Sequence, residues 1–434
     1  MTRTVKRDDD VMIDIKAMLD GAEVPVTNEC CIYKVPFHIR RLKADAYTPN
    51  VVSIGPFHHN SHPRLLNMER HKLGYCKAFL QRTNTTWHSW ICYIKEEVEP
   101  HFHRFYLDTL DEFSKEELIK IIFVDSGFIL ELFCRYHSKN WSKDDVCLSK
   151  SWLESIIRLD LLLLENQLPF SLLESLFNKF FTNRSNHNIP SFIVLTFDYF
   201  DYFNKSNLSY DNTGIEHFTD LIRTFHLQHP PQKRPSRTNE EIVTHLPSAT
   251  ELSEAGVRIK VNKESECLLN WTFSGRVLRI PELVVEDWTE ILFRNMVAFE
   301  QCHYPDKSYI TDYVAVMDFL INTSRDVDIL VRKGVLVNWL GDADSVADLF
   351  NGLMKNIVQT NDSSEYFRIC KELSAFQRNP WHNLKSTLRR DYCKSPWQTA
   401  ATIAGILLLI LSLIQSVCSV LQVIQQYNAP SKTW

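Results

Sequence analysis

The carboxyl-terminal stretch Ala400–Leu421 reads AATIAGILLLILSLIQSVCSVL, and no charged residue occurs between Ser395 and Ser431. At a rise of about 1.5 Å per residue, about 20 helical residues cross a hydrocarbon layer of about 30 Å. A buried helix of a globular core is the alternative, but such helices are usually shorter and carry a charge within a few turns. The stretch therefore predicts a single transmembrane helix over residues 397–424.

The predicted span is flanked by aromatic residues. Trp397 precedes the apolar run and Tyr427 follows it, and such rings favour the interface between lipid and water. The run Leu159–Leu164 is the other candidate span, but Asp160 and Glu165 limit it to a length that cannot cross a bilayer. The side chains expected to hold the helix in lipid are Trp397, Ile403, Leu407, Leu411, Ile414 and Leu421.

Basic residues are concentrated before the span. Lys385, Arg389, Arg390 and Lys394 precede it within about 15 residues, whereas Lys432 alone follows it. Because flanking Lys and Arg residues stay in the cytosol, we expect the large amino-terminal part to be cytoplasmic. With a tail of residues 425–434, the pattern predicts a tail-anchored membrane protein, in the plasma membrane or an internal membrane.

Small and polar residues recur on one face of the predicted span. Such residues let helices approach closely and form hydrogen bonds between them. This pattern suggests a homo-oligomer formed through the membrane helix. The equally weighted alternative is that these residues only soften the anchor near one interface. The residues concerned are Gly405, Ser412, Gln415, Ser416 and Ser419.

Composition limits the remaining possibilities. The chain has 434 residues, which corresponds to two or three domains or one large domain. A net charge of −5 provides no electrostatic attraction for nucleic acid, so no nucleic-acid partner is expected. Only 11 glycines occur, and the nearest pair, Gly334 and Gly341, is seven residues apart. Phosphate-binding glycine loops are therefore absent, and no cofactor is expected.

The termini and cysteines indicate a cytosolic environment for most of the chain. The amino terminus MTRTVKRDDD lacks the apolar segment of a secretory signal. Eleven cysteines are spread thinly, without the spacing of a zinc site. We interpret them as reduced, mostly buried thiols.

Helical periodicity predicts a mainly α fold with a small antiparallel β insertion and one carboxyl-terminal transmembrane helix. The predicted segments are an extension at 1–29, a helical region at 30–228, an exposed linker at 229–244 and an α region with a small sheet at 245–395. The linker prediction rests on the run HPPQKRPSRTNEE, which has three prolines and almost no apolar side chain. The predicted helices are Arg64–Arg82, Ser89–Leu110, Ser114–Tyr136, Trp152–Glu165, Pro169–Phe181, Ile215–Leu227, Glu282–Cys302, Ile310–Leu340, Ala343–Val358, Glu365–Phe376 and Trp381–Tyr392.

The β prediction depends on alternation between apolar and polar residues. Val257, Ile259 and Val261 alternate with polar residues in one arm. A second arm ends at the Ser274-Gly275 turn, and Val277–Ile280 follows it. This pattern is typical of a hairpin in a small antiparallel sheet.

Candidate catalytic groups have structural explanations that we favour. The cluster His58, His59 and His62 follows a Gly-Pro turn, and His101 with His103 lies where a helix is interrupted by proline. Cys302 and His303 are adjacent on a helix and point about 100° apart, which disfavours a cysteine nucleophile. Asp160 and Glu165 could be paired carboxylates, but capping of neighbouring turns is the favoured role. We therefore expect no enzyme and no metal site.

Several long blocks resemble one plant family. They are CCIYKVPFHIR, AYTPNVVSIGPFHH, MERHKLGYCKAFLQR, DLLLLENQLPF, PSATELSEAGVRIK, LRIPELVVEDWTEILFRNMVAFEQCH and LINTSRDVDILVRKGVLVNWLGD. In this order they are similar to the plant-specific family catalogued as "domain of unknown function 247", over Cys30 to Ile424. The resemblance implies a membrane protein with a carboxyl-terminal span and no assigned enzymatic activity. Some grass relatives are implicated as pollen determinants of self-incompatibility.

The leading hypothesis is a non-enzymatic, tail-anchored protein that binds other proteins in recognition or signalling. An enzyme of unrecognised type is the second, and a pocket lined by His58, His101 and carboxylates would favour it. A cell-surface receptor of inverted topology is the third, and glycans on Asn84 or Asn270 would support it.

Overall fold

The computed structural model describes residues 11–13, 15–16, 28–181, 189–210, 214–237, 243, 245–359, 363–378 and 396–427. Most of the predicted extension at 1–29 and the tail beyond residue 427 lie outside them, as does the predicted helix Trp381–Tyr392. The residues used above to predict topology, which also lie outside the described residues, are Lys385, Arg389, Arg390 and Lys394.

α-Helices make up most of the described chain. They run over Phe37–Arg40, Pro63–Thr83, Trp87–Tyr93, Glu99–Phe102, Lys115–Ser138, Val146–Ser149, Ser151–Asp160, Phe170–Phe180, Phe192–Tyr199, Phe218–His226, Ala249–Glu254, Thr289–His303, Tyr309–Leu320, Ser324–Arg332, Ala343–Leu353, Ser364–Arg378 and Pro396–Tyr427. The strands are Arg258–Val261, Thr272–Ser274, Val277–Ile280, Leu283–Val285 and Leu336–Asn338. The prediction of a mainly α fold with a small β insertion and one apolar carboxyl-terminal helix is confirmed.

Two long helices form the centre of the first half. Helix Pro63–Thr83 packs along helix Lys115–Ser138, whose middle is buried on all sides. Gly127 faces Cys76 at the crossing, and a Cβ added at Gly127 would lie 2.6 Å from the sulfur. Glycine at this position therefore permits the close approach of the two helices.

Local signals mark the ends of these two helices. Pro63 occupies the first turn of its helix, where a missing N–H has no cost. Asn84 ends the same helix with a φ of 52°, a conformation that asparagine tolerates. Ser114 and Glu117 form a reciprocal capping box at the start of the second helix.

The predicted helix Ser89–Leu110 is wrong in its detail. The helix begins at Trp87, widens into a π turn at Ile94–Val98 and continues in short pieces to Phe105. Pro100 explains the irregularity, because proline has no N–H to donate to the preceding turn.

The predicted helix Trp152–Glu165 is too long at its carboxyl end. The observed helix ends at Asp160, and the chain turns from Leu161 onward. Asn166 donates to the carbonyl of Asp160, and Gln167 donates to the carbonyl of Leu161. These side-chain amides satisfy carbonyls that a longer helix would have bonded internally.

Helix Phe192–Tyr199 was not predicted.

The three-stranded sheet is mixed, which corrects the prediction of an antiparallel insertion. Strands Thr272–Ser274 and Val277–Ile280 form the predicted antiparallel hairpin. Strand Arg258–Val261 pairs in parallel with Val277–Ile280, with Ile259 opposite Leu278. The parallel pairing arises because the chain crosses to the far edge of the sheet before it turns back into the central strand.

A second, two-stranded sheet replaces predicted helix. Strand Leu283–Val285 pairs in parallel with Leu336–Asn338, where the predictions were the helices Glu282–Cys302 and Ile310–Leu340. Leu283 and Val285 are buried and Val284 is half-buried, so this run follows a period of two.

The helix predicted over Ile310–Leu340 is also interrupted twice before this strand. Helix Tyr309–Leu320 ends before Thr323, which begins the next helix with a capping box. Gly334 then adopts a φ of 71° and ends that second helix.

Apolar packing crosses the predicted linker. One buried cluster extends from Cys31 to Leu373 and includes residues on both sides of 229–244. Pro230–Lys233 is exposed, but Arg237 forms an ion pair with buried Asp312. The first part of the predicted linker therefore packs on the second half of the chain, and residues 238–242 and 244 lie outside the described residues.

The carboxyl-terminal helix is separate from this core. Helix Pro396–Tyr427 contains the stretch Ala400–Ile424, which has a mean hydropathy of 2.4 and no buried residue. Core helices of globular proteins bury their apolar side chains, which this helix does not. Among the described residues, it is the one helix long and apolar enough to cross a membrane.

Candidate functional site

The polar residues between Asp160 and Gln167 hold distant backbone. Asp160 ends helix Ser151–Asp160, and its carboxylate accepts hydrogen bonds from the N–H groups of Asn50, Val51 and Val52 at 2.7–2.9 Å. Burial raises the pKa of Asp160 to about 6, although these N–H groups oppose the rise. The sequence suggested that Asp160 caps neighbouring turns, whereas the backbone that it caps lies more than 100 residues away along the chain.

Two amide side chains in the same segment use their hydrogen-bonding capacity internally. Asn166 accepts from the N–H of Ile54 and donates to the carbonyls of Val52 and Asp160. Gln167 accepts from the N–H of Phe218 at 3.0 Å and donates to two carbonyls of its own turn. Buried amides that are fully bonded in this way stabilise a fold and are not available to a substrate.

A buried lysine holds the other side of segment 50–55. Lys72 is fully buried, and its ammonium contacts Asp125 at 2.5 Å, Glu69 at 2.6 Å and the carbonyl of Ser53 at 2.8 Å. Burial alone would lower the pKa of Lys72, but the two carboxylates outweigh it and raise the pKa. Asp125 also accepts the N–H of Gly55. The segment is therefore bound by charged side chains on both sides.

The candidate site is a surface depression of about 530 Å³ beside this network. Glu165, from the turn after Asp160, is buried at its base. One Glu165 oxygen accepts from Arg40 at 3.0 Å and lies 3.2 Å from Nε2 of His58. The other accepts the N–H of Val35 at 2.8 Å. The remaining charged and aromatic lining residues are Lys34, Phe37, Phe57 and Asp108.

The electrostatics of the depression limit its chemistry. Burial favours a raised pKa for Glu165, but the bonds from His58, Arg40 and Val35 prevail and lower the pKa. Both carboxylate oxygens are already occupied, so Glu165 is not a free general base. Phe37 is 79% exposed at the rim. The arrangement is suited to holding a partner group by aromatic and charge contacts.

The other predicted histidines do not converge on this depression. His59 and His62 follow His58 in sequence but do not line it, and His101 is exposed on a different helix. Across the described ranges, no group of three or more His, Cys, Asp or Glu side chains has the arrangement of a metal site.

The Cys302-His303 pair also has the structural role that the sequence favours. Nδ1 of His303 bonds the hydroxyl of Tyr33 at 2.8 Å. Burial raises the pKa of Cys302 to about 12, so its thiol stays protonated at neutral pH.

Sequence reasoning missed the role of His217. Its Nδ1 accepts the N–H of Asp220 and so caps helix Phe218–His226, while Nε2 donates to the carbonyl of Cys31. This cap requires a neutral imidazole, and burial lowers the pKa of His217 to about 3. Histidine is not among the usual cap residues, so no sequence signal marks this position.

His217 should make stability depend on pH. The pKa of His217 is lower in the folded chain than in the unfolded chain, where it is about 6.5. The unfolded state therefore binds the proton first, and the stabilisation is present above pH 6.5 and lost as the pH falls towards 3. Relative to His217→Asn, the wild type should lose up to about 1.4 kcal/mol per pH unit below that point.

Urea unfolding of the detergent-solubilised full chain between pH 4.5 and 7.5 would measure this difference. His101→Asn, at an exposed position, is the control and should follow the wild type. If the free energy of unfolding depends on pH in the same way in the wild type and in His217→Asn, the proposed role of His217 is contradicted. The wild type is compared with His217→Asn at each pH because Asp220 also titrates in this range. Burial raises the pKa of Asp220 to about 6, so its contribution to stability increases as the pH falls, which is opposite to that of His217.

The fold and the unburied helix define a class: a helical globular region attached to one helix of membrane-spanning length. A family model described as a plant protein of unknown function, DUF247, matches residues 32–411. The chain belongs to this family. It is 26% identical over 424 residues to the UPF0481 protein At3g47200 of Arabidopsis thaliana, covering 90% of this chain and 86% of that protein.

A second Arabidopsis thaliana relative is the putative UPF0481 protein At3g02645, which is 22% identical over 481 residues. The match covers 88% of this chain and 89% of that protein. No solved structure is significantly similar to the chain. The predicted family membership is therefore confirmed.

Proposed function

We propose that this chain is a tail-anchored membrane protein whose helical region lies in the cytosol and binds other proteins without catalysis. The observation that carries the proposal is the stretch Ala400–Ile424, which is helical, uncharged and unburied. An apolar helix of 25 residues without a protein surface to cover it favours lipid as its environment. A role in recognition or signalling, as implied for some grass relatives in self-incompatibility, is part of the proposal.

The state of the buried polar groups supports a binding role over a catalytic one. Asp160, Asn166 and Gln167 are committed to backbone hydrogen bonds, and Glu165 is paired with Arg40. Because these hydrogen bonds hold backbone in place, the groups that form them are more easily explained by a structural role than by catalysis.

The rim of the depression at Glu165 is the proposed contact surface for a protein partner. It presents the exposed Phe37 ring beside the charged side chains of Lys34 and Asp108. Aromatic rings are typical of the centre of a protein interface, and polar or charged side chains are typical of its rim.

Removal of the helix should release the chain from membranes. A variant that ends at residue 395 is expected in the supernatant after high-speed sedimentation, whereas the full chain should sediment with membranes and resist alkaline carbonate. The matched control keeps the helix and removes residues 428–434 only. A full-length chain that stays in the supernatant as a monomer without detergent would sink the proposal.

Orientation is tested by protease accessibility in sealed microsomes. We expect the amino-terminal region to be digested and a fragment containing Ala400–Ile424 to be protected. Inverted topology would instead give glycosidase-sensitive mass shifts at Asn84 or Asn270.

Self-association through the helix is a further part of the proposal. At about 100° per residue, Gly405, Ser412, Gln415, Ser416 and Ser419 share one face. Triple replacement of Ser412, Gln415 and Ser419 by leucine should weaken the association about fivefold, the factor that corresponds to about 1 kcal/mol. Crosslinking in membranes measures it.

The control for this experiment lies on the opposite face of the same helix. Replacement of Ile403, Ile410 and Ile414 by leucine keeps the length and hydropathy of the helix and should leave crosslinking unchanged. Unchanged crosslinking of the polar-face variant would remove the self-association idea. The Ser416 hydroxyl already donates to the carbonyl of Ser412, so it contributes least to a partner.

An enzyme remains the second candidate, because His58 and the carboxylates of Glu165 and Asp108 do line one depression. His101, the other histidine that such a pocket was expected to contain, does not line this depression. A panel of ester, phosphoester and glycoside substrates, turned over by the full chain and not by His58→Gln, would favour this candidate. Equal background rates for the two proteins would favour the binding role.

A further inference from the structure

A second cavity of about 280 Å³ lies in the other half of the protein. It is formed by helices Phe218–His226 and Thr289–His303, strand Leu283–Val285 and the turn at Asp201–Phe203. Its size falls just below the roughly 300–1,000 Å³ of sites for drug-sized ligands. A small molecule would fit it, whereas a folded partner would not enter it.

The floor of the cavity is apolar. Buried aromatic and aliphatic side chains from two helices and one strand close it off from the core. These side chains are Phe225, Leu283, Leu292, Phe293 and Met296. Transfer of an apolar group from water onto this floor is favourable, so the floor would bind the apolar body of a ligand.

Aromatic rings form the mouth. Trp288 lies edge-on to Tyr202 and Phe203, with ring centroids 5.7 Å and 5.3 Å apart. Tyr202 is 43% exposed, and its hydroxyl donates to Glu286 at 3.0 Å. The ammonium of Lys205 already lies 4.4 Å from the centre of the Tyr202 ring. The face of this ring therefore accepts a cation.

Charge at the mouth is predominantly negative. Glu266, Glu282 and Glu286 line the cavity, against the single cation Lys205. His226 also lines the wall, stacked on Phe293, and burial lowers its pKa to about 4. The imidazole is therefore neutral at pH 7 and does not offset the carboxylates.

We propose that this cavity binds a small organic amine, with its apolar body on the Phe225 and Phe293 floor. Its ammonium replaces that of Lys205 at the Tyr202 ring, beside the Glu282 and Glu286 carboxylates. Aromatic faces and carboxylates both attract a cation, and the enclosed floor selects a ligand with a compact apolar group. This binding does not depend on the proposed membrane attachment. The same chemistry could come from a lysine side chain of a partner, so the test separates the two sources.

The probes are three phenylalkyl molecules of similar size and different charge: 2-phenylethylamine, 2-phenylethanol and 3-phenylpropanoate. Calorimetric titration of the detergent-solubilised full chain should show binding of the amine, at least about tenfold tighter than the alcohol or the anion. An alcohol that binds as tightly as the amine would overturn the proposal, and so would an amine that does not bind the folded chain at about 10 mM.

Variants at the mouth locate the binding. Glu282→Gln with Glu286→Gln should weaken amine binding about fivefold or more, and Tyr202→Leu should weaken it further. Glu372→Gln is the control, because Glu372 is exposed and distant from the cavity lining. Circular dichroism of each variant checks that it is folded. Unchanged affinity in the folded double variant would overturn the assignment.

A short peptide with one lysine flanked by alanines is the last arm of the test. Failure of the peptide to compete with 2-phenylethylamine supports a free amine as the ligand. Binding of the peptide without binding of the amine would overturn the small-molecule proposal in favour of a partner's lysine.

Discussion

Glu300→Ala is expected to lower the free energy of unfolding by about 3–5 kcal/mol. The Glu300 side chain is fully buried in helix Thr289–His303. Its carboxylate accepts a hydrogen bond from Nε of Arg223 at 2.8 Å, and it accepts two more from the N–H groups of Ile310 and Thr311 at 3.1 and 2.8 Å. Those N–H groups belong to the first turn of helix Tyr309–Leu320, which has no cap from its own Ser308 side chain. Alanine would remove the carboxylate that pairs with the buried Arg223 guanidinium, which keeps the Lys307 carbonyl, and would leave two helix N–H groups without this acceptor.

Urea unfolding of the full chain in detergent measures the Glu300 effect. Glu372→Ala is the control, since Glu372 pairs with Arg368 on an exposed helix face, and should cost less than about 1 kcal/mol. The double variant Glu300→Ala with Arg223→Met should cost less than the sum of the two single variants, because the unpaired charge is then absent. A Glu300→Ala loss no larger than the control would show that the pair contributes little.

Lys72→Met should also cost about 3–5 kcal/mol. Methionine keeps the length of the buried stem, so the main loss is the charge that Asp125, Glu69 and the carbonyl of Ser53 share. Asp125 would remain in the core and would still accept the N–H of Gly55. Segment 50–55 would then lose the hydrogen bond from the Lys72 ammonium and keep those to Asp160, Asn166 and Asp125.

The Lys72 prediction has a rescue and a control. Asp125→Asn added to Lys72→Met removes the unpaired charge and keeps an acceptor for Gly55, so the double variant should recover part of the loss. Lys77→Met, at an exposed position on the same helix, should change stability by less than about 0.5 kcal/mol. A double variant that is less stable than Lys72→Met would contradict the charge-based explanation.

Helices with strong periodicity were predictable, and so was the hairpin of strands Thr272–Ser274 and Val277–Ile280, whereas the two-stranded sheet was not. The helix predicted at Arg64–Arg82 is observed at Pro63–Thr83, because the apolar face and the proline signal agree there. The run that begins at Leu283 was predicted as helix and is a strand. A strand of three residues is too short to separate a period of two from a period of 3.6 when its partner, Leu336–Asn338, is more than 50 residues away.

The candidate site was only partly visible in the sequence. His58 was singled out, but its neighbours Arg40 and Glu165 come from segments separated by 125 residues. The structural reading of Glu165 was inferred from the nearby Leu-Pro break, whereas its actual partners are Arg40, His58 and the N–H of Val35. No local spacing in the sequence predicts these contacts, because contacts between residues distant in sequence depend on how the core packs.

Local patterns alone established the apolar helix near the carboxyl end, most long helices and the family, because hydropathy, caps and block order are written in consecutive residues. Tertiary structure decided the partners of the buried charges. Glu300 caps a helix that begins after its own helix has ended, and Lys72 holds a segment 19 residues before it. A buried charge is stable only where folding brings its partner within bonding distance, and that distance is a property of the packed chain.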